Sequence, residues 1–256
     1  MRSKAVSPLT LCHRSSKWVL ACSRICFAGT VVGSYNTGMK TRIKICCISS
    51  VGEAALAVRC GADALGLVSA MPSGPGVIAE DLIAAIAPTV PPPVATFLLT
   101  SATDAPSIIA QQRRCRVNTL QICDRVTADC LRELRAALPG IALVQVVHVT
   151  GAESVAEAVA VAEKVDALLL DSGNQKLALK ELGGTGRTHD WRVSREIVAA
   201  VRVPVFLAGG LNPDNVADAI AQVRPFGVDI CSGVRTAGKL DEEKLKRFVE
   251  RVATGS

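Results

Sequence analysis

From Ile43 onward, short apolar runs alternate with longer stretches in which apolar positions recur every three or four residues. The short runs lie at 43–48 (IKICCI), 64–70 (ALGLVSA), 94–99 (VATFLL), 119–123 (TLQIC), 143–149 (LVQVVHV), 167–172 (ALLLDS), 203–210 (VPVFLAGG) and 227–233 (GVDICSG). Each is brief and almost continuously apolar, as strands of a parallel sheet buried on both faces must be. The stretches between them have the period of amphipathic helices, among them 51–61, 79–87, 127–140, 152–165, 191–201, 212–223 and 241–252. Gly61 supplies a helix stop, Thr127 an N-cap and Pro139-Gly140 an end.

Eight βα units in about 210 residues predict an α/β chain folded as a single closed (β/α)₈ TIM barrel with outer helices. An open doubly wound sheet usually carries G-x-G-x-x-G after its first strand, and none follows 43–48. In such barrels catalytic groups sit at the C-terminal ends of the strands. Cys46 and Cys47 are therefore near a mouth. Adjacent residues cannot converge on one tetrahedral zinc ion, and neighbours on an extended chain point to opposite faces. Strand parity thus predicts one thiol in the mouth and its neighbour in the helix layer.

The composition is 49% hydrophobic and 3% aromatic, so Ala, Val, Leu and Ile must build the core. The net charge of +6 lies entirely in residues 1–40, which hold six basic residues and no Asp or Glu; the rest has 23 of each sign. A neutral body gives no basis for nucleic-acid binding. Residues 1–40 are expected to be a disordered or peripheral extension, with the catalytic domain at 41–256. Either a targeting segment or an upstream start before Met39 accounts for that extension. Its apolar stretch is broken by Arg24, which makes it a poor secretory signal and no membrane span. The seven body cysteines are odd in number and irregularly spaced, which predicts reduced thiols and a cytoplasmic protein.

The glycines of "AGG" (208–210) and "CSG" (231–233) end the seventh and eighth strands, where these barrels commonly bind phosphate. Gly209, Gly210 and Gly233 would let backbone N–H groups approach phosphate oxygens, and Ser232 would add a hydroxyl donor. Lys44 and Asp229 are charges inside strands that become neighbours once the barrel closes. A buried ion pair and a substrate-contacting Asp229 both remain open readings.

Taken together, "KICCIS", "LLLDS", "GGTGRTHDW", "LAGGLNPDNV" and "GVDICSGVR…GKLD" resemble the phosphoribosylanthranilate isomerases over residues 42 to about 250. The resemblance implies an Amadori rearrangement of an aminoaldose phosphate in tryptophan biosynthesis, with no cofactor and no metal. A phosphosugar is the implied partner, and a homodimer is possible for such a chain. The family's base falls on Cys46 and its acid on Asp171, while Cys47 takes the place of a glycine. A thiol of ordinary pKa roughly 8.5 can serve as a base beside a positive neighbour, and Lys44 shares the strand parity of Cys46. Three positions depart from the family pattern. The second βα loop, "SAMPSGPGVI", has no arginine; the fourth strand ends in "QICD" without histidine; and Arg235 replaces a usual Glu. All three fall on the amine side of the substrate, leaving Arg235, Arg187 or His189 to hold it. Two further readings therefore stand beside the first: a related phosphosugar isomerase or lyase with another aglycone, and a non-catalytic sugar-phosphate-binding barrel.

Overall fold

The structure, a computed structural model, describes residues 40–173, 182, 186 and 188–255. The expected N-terminal extension up to Met39 and the candidate Arg187 lie outside the described residues. Eight parallel strands close into a barrel in sequence order. They are β1 (Arg42–Ile45), β2 (Ala64–Val68), β3 (Ala95–Thr100), β4 (Thr119–Ile122), β5 (Ala142–His148), β6 (Ala167–Asp171), β7 (Val205–Leu207) and β8 (Gly227–Ile230). The outer helices are α1 (Val51–Arg59), α2 (Glu80–Ile86), α3 (Ala105–Cys115), α4 (Ala128–Ala137), α5 (Glu153–Ala162), α6 (Trp191–Ala200), α7 (Val216–Val223) and α8 (Glu242–Gly255). The barrel closes where β1 pairs with β8, with Lys44 opposite Asp229 and Ile45 opposite Ile230.

Helix starts follow the local chemistry. Ser50, Asp104, Thr127 and Asp190 each accept a hydrogen bond from a backbone N–H of the first turn of their helix. Gly61, at φ +99°, ends the run after α1 as expected. Two features escape the sequence pattern. Helix α3 carries the polar run Gln111–Gln112–Arg113–Arg114, which blurs its period. A two-residue hairpin, β9 (Arg235–Thr236) and β10 (Lys239–Leu240), follows β8 and is too short to have a period.

The core has two layers, set by strand alternation. Ile43, Ile45, Leu120, Ile122, Leu168, Leu170, Val228 and Ile230 pack outward into the helix layer. Phe97, Val144, Val146, Ala167, Leu169 and Phe206 fill the barrel interior. There Phe97 and Phe206 meet edge to face at 5.9 Å.

The end of the barrel away from the mouth repeats one device. The polar residue before an even-numbered strand accepts a backbone N–H from the preceding odd one. Asp63 takes Ile43 N at 2.8 Å, Asn118 takes Thr96 N at 2.9 Å and Asp166 takes Leu143 N at 2.7 Å. Each bond satisfies a strand-end donor that the ladder leaves over.

Candidate active site

Strand parity aims a set of polar side chains into the mouth. Ile43 and Ile45 face the helices, so Lys44 and Cys46 face inward; Val228 and Ile230 do the same for Asp229 and Cys231. On β6, Ala167 and Leu169 are interior, which places Asp171 there as well. On β4 the same rule turns Gln121 and Cys123 inward. Cys46, Cys123, Asp171, Asp229 and Cys231 all line one cavity at the mouth.

Lys44 is completely buried and its Nζ lies 2.9 Å from Asp229 Oδ1. Burial by itself would push the ammonium down, but Asp229 and the adjacent Cys46 outweigh it, and the net shift is upward. The cation also stands over the Phe97 ring, 5.3 Å from its centroid. Gly66 of β2 makes room for this arrangement: a methyl group there would lie 2.7 Å from Cys46 Sγ and 3.1 Å from Lys44 Nζ. Cys46 Sγ and Lys44 Nζ thus crowd the same small residue, which the sequence pattern does not single out.

Cys47 departs from its expected position in the helix layer. It belongs to the interior cluster and lines the mouth with Cys46. Parity fails because the strand ends at Ile45 and Cys47 adopts the left-handed conformation, at φ +62°. Its thiol donates to the Pro75 carbonyl at 3.6 Å.

Asp171 is nearly buried, and its Oδ1 accepts the backbone N–H of Ser172 at 2.7 Å. Strands β1 and β6 stand three apart round the ring, so Cys46 and Asp171 approach the cavity from different walls. Gly209 and Gly210 line its floor with φ of +82° and +63°, beside Ser232. Gly186 closes the same corner, where a methyl group would stand 4.0 Å from Ser232 Oγ. Gly233 is not on the cavity surface. A methyl group there would lie 2.3 Å from the Leu211 carbonyl oxygen, so this glycine lets the β8 loop press against the β7 loop.

The expected amine-side residues resolve differently. Arg235 does not reach the cavity; its guanidinium is held by Glu53 at 2.9 and 3.1 Å, and also donates to the Gly238 and Cys47 carbonyls. Glu53, which sequence reasoning missed, accepts Ser49 N and Leu240 N at 3.0 and 2.9 Å as well. One carboxylate therefore ties the β1–α1 loop to the β9–β10 hairpin. His189 pairs with Ser194 Oγ at 2.7 Å, and burial pushes its imidazole pKa down. The wall opposite the glycines is formed by Met71, Ser73, Gly74 and Pro75 of the β2–α2 loop with Leu99 and Gln121. Among the described residues, no lysine or arginine lines the cavity, and no group of three His, Cys, Asp or Glu side chains converges as a metal site.

Comparison with known proteins places this arrangement in context. The profile described as N-(5'-phosphoribosyl)anthranilate (PRA) isomerase matches residues 43–251. An N-(5'-phosphoribosyl)anthranilate isomerase of Methanocella arvoryzae is 35% identical, covering 83% of this chain and 98% of the relative. One from Methanosarcina mazei is 38% identical, covering 82% and 93%. Among solved structures, phosphoribosyl anthranilate isomerase from Thermotoga maritima superimposes with a TM-score of 0.72 at 29% identity, over 84% of this chain and all of that one. A phosphoribosyl anthranilate isomerase solved with reduced 1-(o-carboxyphenylamino)-1-deoxyribulose 5-phosphate gives 0.70 at 28% identity, with the same coverage.

Proposed function

This chain belongs to the N-(5'-phosphoribosyl)anthranilate isomerase family, and on that premise we propose how its own residues perform the reaction. It is an isomerase of tryptophan biosynthesis that rearranges N-(5'-phosphoribosyl)anthranilate into the corresponding 1-deoxyribulose 5-phosphate. Asp171 gives a proton to the ribose ring oxygen and the ring opens. Cys46, as the thiolate, takes the proton from C2, and the resulting enolamine tautomerises to the aminoketose. Substrate and product contain the same atoms, so no co-reactant enters the balance. Asp229 fixes the Lys44 ammonium in place, at the gap over Gly66 that Cys46 Sγ also borders. The observation that carries the reading is one cavity bounded by Cys46, Asp171 and the Gly209–Gly210–Ser232 corner.

The phosphate is taken by the glycine corner, where backbone N–H groups meet the oxygens without side-chain obstruction. Gly233 supports that corner from behind. The anthranilate ring lies against Met71, Leu99 and the β2–α2 loop. The proposal extends to a cytoplasmic homodimer; the Thermotoga maritima relative is described as dimeric. Among the described residues, no helix is long and apolar enough to cross a membrane. Residues 1–40 are proposed to be dispensable, and a chain starting at Met39 is expected to keep full turnover. Expression in a tryptophan auxotroph lacking the isomerase tests the function. Growth without tryptophan is expected, and failure of the soluble, folded protein to restore it would contradict the reading.

A further inference from the structure

The thiol assigned as the base stands on a turn that a cysteine adopts under strain. Strand β1 ends at Ile45, and Cys47 has a φ of +62°, in the left-handed region where a β-carbon crowds the following carbonyl oxygen. The amide groups of this turn are anchored to the barrel. Cys46 N donates to the Ile230 carbonyl at 2.8 Å, and Ile48 N donates to the Gly66 carbonyl at 3.0 Å. Its carbonyl groups go to one side chain from a distant part of the sequence. Arg235 Nη2 donates to the Cys47 carbonyl at 2.5 Å and to the Cys46 carbonyl at a longer 3.4 Å. We propose that Arg235 is a positioning residue for the isomerisation: its guanidinium holds residue 47 in the left-handed region and so fixes where the Cys46 thiol stands. The proposal rests on the reading of Cys46 as the base.

Burial and geometry make Arg235 a rigid holder. Its side chain is 9% exposed, so little water competes for the two carbonyls. Glu53 accepts from Nη1 and Nη2 at 2.9 and 3.1 Å, and Nη1 also donates to the Gly238 carbonyl at 3.0 Å. A planar guanidinium with five donors can meet the carboxylate and the carbonyls at once. A lysine ammonium is a point charge that keeps an ion pair but lacks that fork. Arg235 does not line the cavity, so its effect on turnover passes through the turn at Cys47.

The turn controls the thiol because residues 46 and 47 share a peptide. Cys46 Sγ occupies a tight place: a methyl group on Gly66 would lie 2.7 Å from it. When residue 47 leaves the left-handed region, the shared peptide rotates and carries the thiol away from that place. A displacement of about 1 Å at a reacting group can cost on the order of 100-fold in rate. Asp171 and the Gly209–Gly210 corner belong to other strands and their loops, so ligand binding should survive. Glycine enters the left-handed region about as readily as the right-handed one. A Cys47→Gly chain therefore needs the clamp less, which a purely stabilising ion pair does not predict.

The test uses full-length wild type, Arg235→Met, Arg235→Lys, Cys47→Gly and Cys47→Gly combined with Arg235→Met, each at a temperature where it is folded. Turnover is measured beside binding of reduced 1-(o-carboxyphenylamino)-1-deoxyribulose 5-phosphate, and crystal structures give the backbone at residue 47. Arg235→Met should lower kcat at least about tenfold while affinity for the analogue stays within about threefold. Arg235→Lys retains the charge facing Glu53, serves if Arg235→Met folds poorly, and should lose at least about fivefold in kcat. In the Cys47→Gly background the loss should shrink to about threefold or less. Unchanged kcat in both Arg235 variants, an equal loss in the two backgrounds, or a loss of analogue affinity as large as the loss of kcat would overturn the proposal. Crystals of either Arg235 variant should show residue 47 outside the left-handed region and the Cys46 thiol displaced. A left-handed residue 47 with the thiol in place would equally overturn it. Because that arm does not depend on turnover, a wild type inactive on the substrate contradicts the isomerase reading, and the structures still decide the clamp.

Discussion

A methyl group placed on Gly76 would lie 2.4 Å from Cβ of Cys47 and 2.9 Å from its Sγ, so the two positions share a single space. The β2–α2 loop can pass over the end of β1 because residue 76 has no side chain. We expect Gly76→Ala to destabilise the protein by about 3 kcal/mol, from overpacking together with strain at its φ of +81°. In a Cys47→Gly background the contacts with Cβ and Sγ go while the one with the residue-47 Cα at 2.9 Å stays, so the cost should fall in part, to about 2 kcal/mol of strain and residual overpacking. Urea unfolding of the four proteins measures the coupling. Equal costs in both backgrounds would show that the two residues do not compete.

Glu53 links stability to pH. Burial would raise its pKa, but the Arg235 guanidinium and the backbone donors of Leu240 and Ser49 win, and the net shift is downward. A carboxylate depressed on folding stabilises fully above its unfolded pKa of about 4.3, and that contribution fades as pH falls through the folded value. Glu53→Gln leaves Arg235 buried without its partner and should cost about 3 kcal/mol at pH 7. The gap between variant and wild type should narrow as pH drops below about 4.3, read by thermal melts across that range. A gap that stays constant there would contradict the assignment.

The closed end of the barrel serves stability alone. Asp166→Ala removes the acceptor for Leu143 N and the partner of Arg135. The expected loss is about 1–2 kcal/mol of unfolding free energy, with kcat unchanged. A several-fold drop in kcat at a temperature where the variant is folded would argue against this division of labour.

Phosphate recognition gives a further test. Ser232→Ala should weaken competitive inhibition by inorganic phosphate about fivefold and raise KM alike, leaving kcat nearly intact. Gly210→Val, at a position with φ of +63°, should reduce phosphate affinity much more by obstructing the backbone. Unchanged phosphate affinity in folded Ser232→Ala would remove that hydroxyl from the site.

The barrel was legible because buried parallel strands and outer helices have distinct periods, and the glycine pair after β7 and the single Gly233 after β8 mark loops that need close approach. Cys46 and Asp171 could be aimed inward by counting along their strands. Cys47 could not, because counting stops where the strand does, and a left-handed residue beyond Ile45 reverses the expected face. The Glu53–Arg235 link joins residues 182 positions apart, and nothing local announces it. Gly66 reads as an ordinary strand glycine until Cys46 and Lys44 are seen to occupy the space beside it.

The assignment of Cys46 and Asp171 is tested most directly by turnover of N-(5'-phosphoribosyl)anthranilate with purified Cys46→Ser, measured against wild type and Asp171→Asn. Serine keeps the size of cysteine but is far too weak a base near neutral pH, and Asn removes the proton donor while keeping its shape. Both variants should lose at least about 100-fold in kcat while binding a product analogue nearly as well as wild type. Wild-type kcat in folded Cys46→Ser would contradict the account.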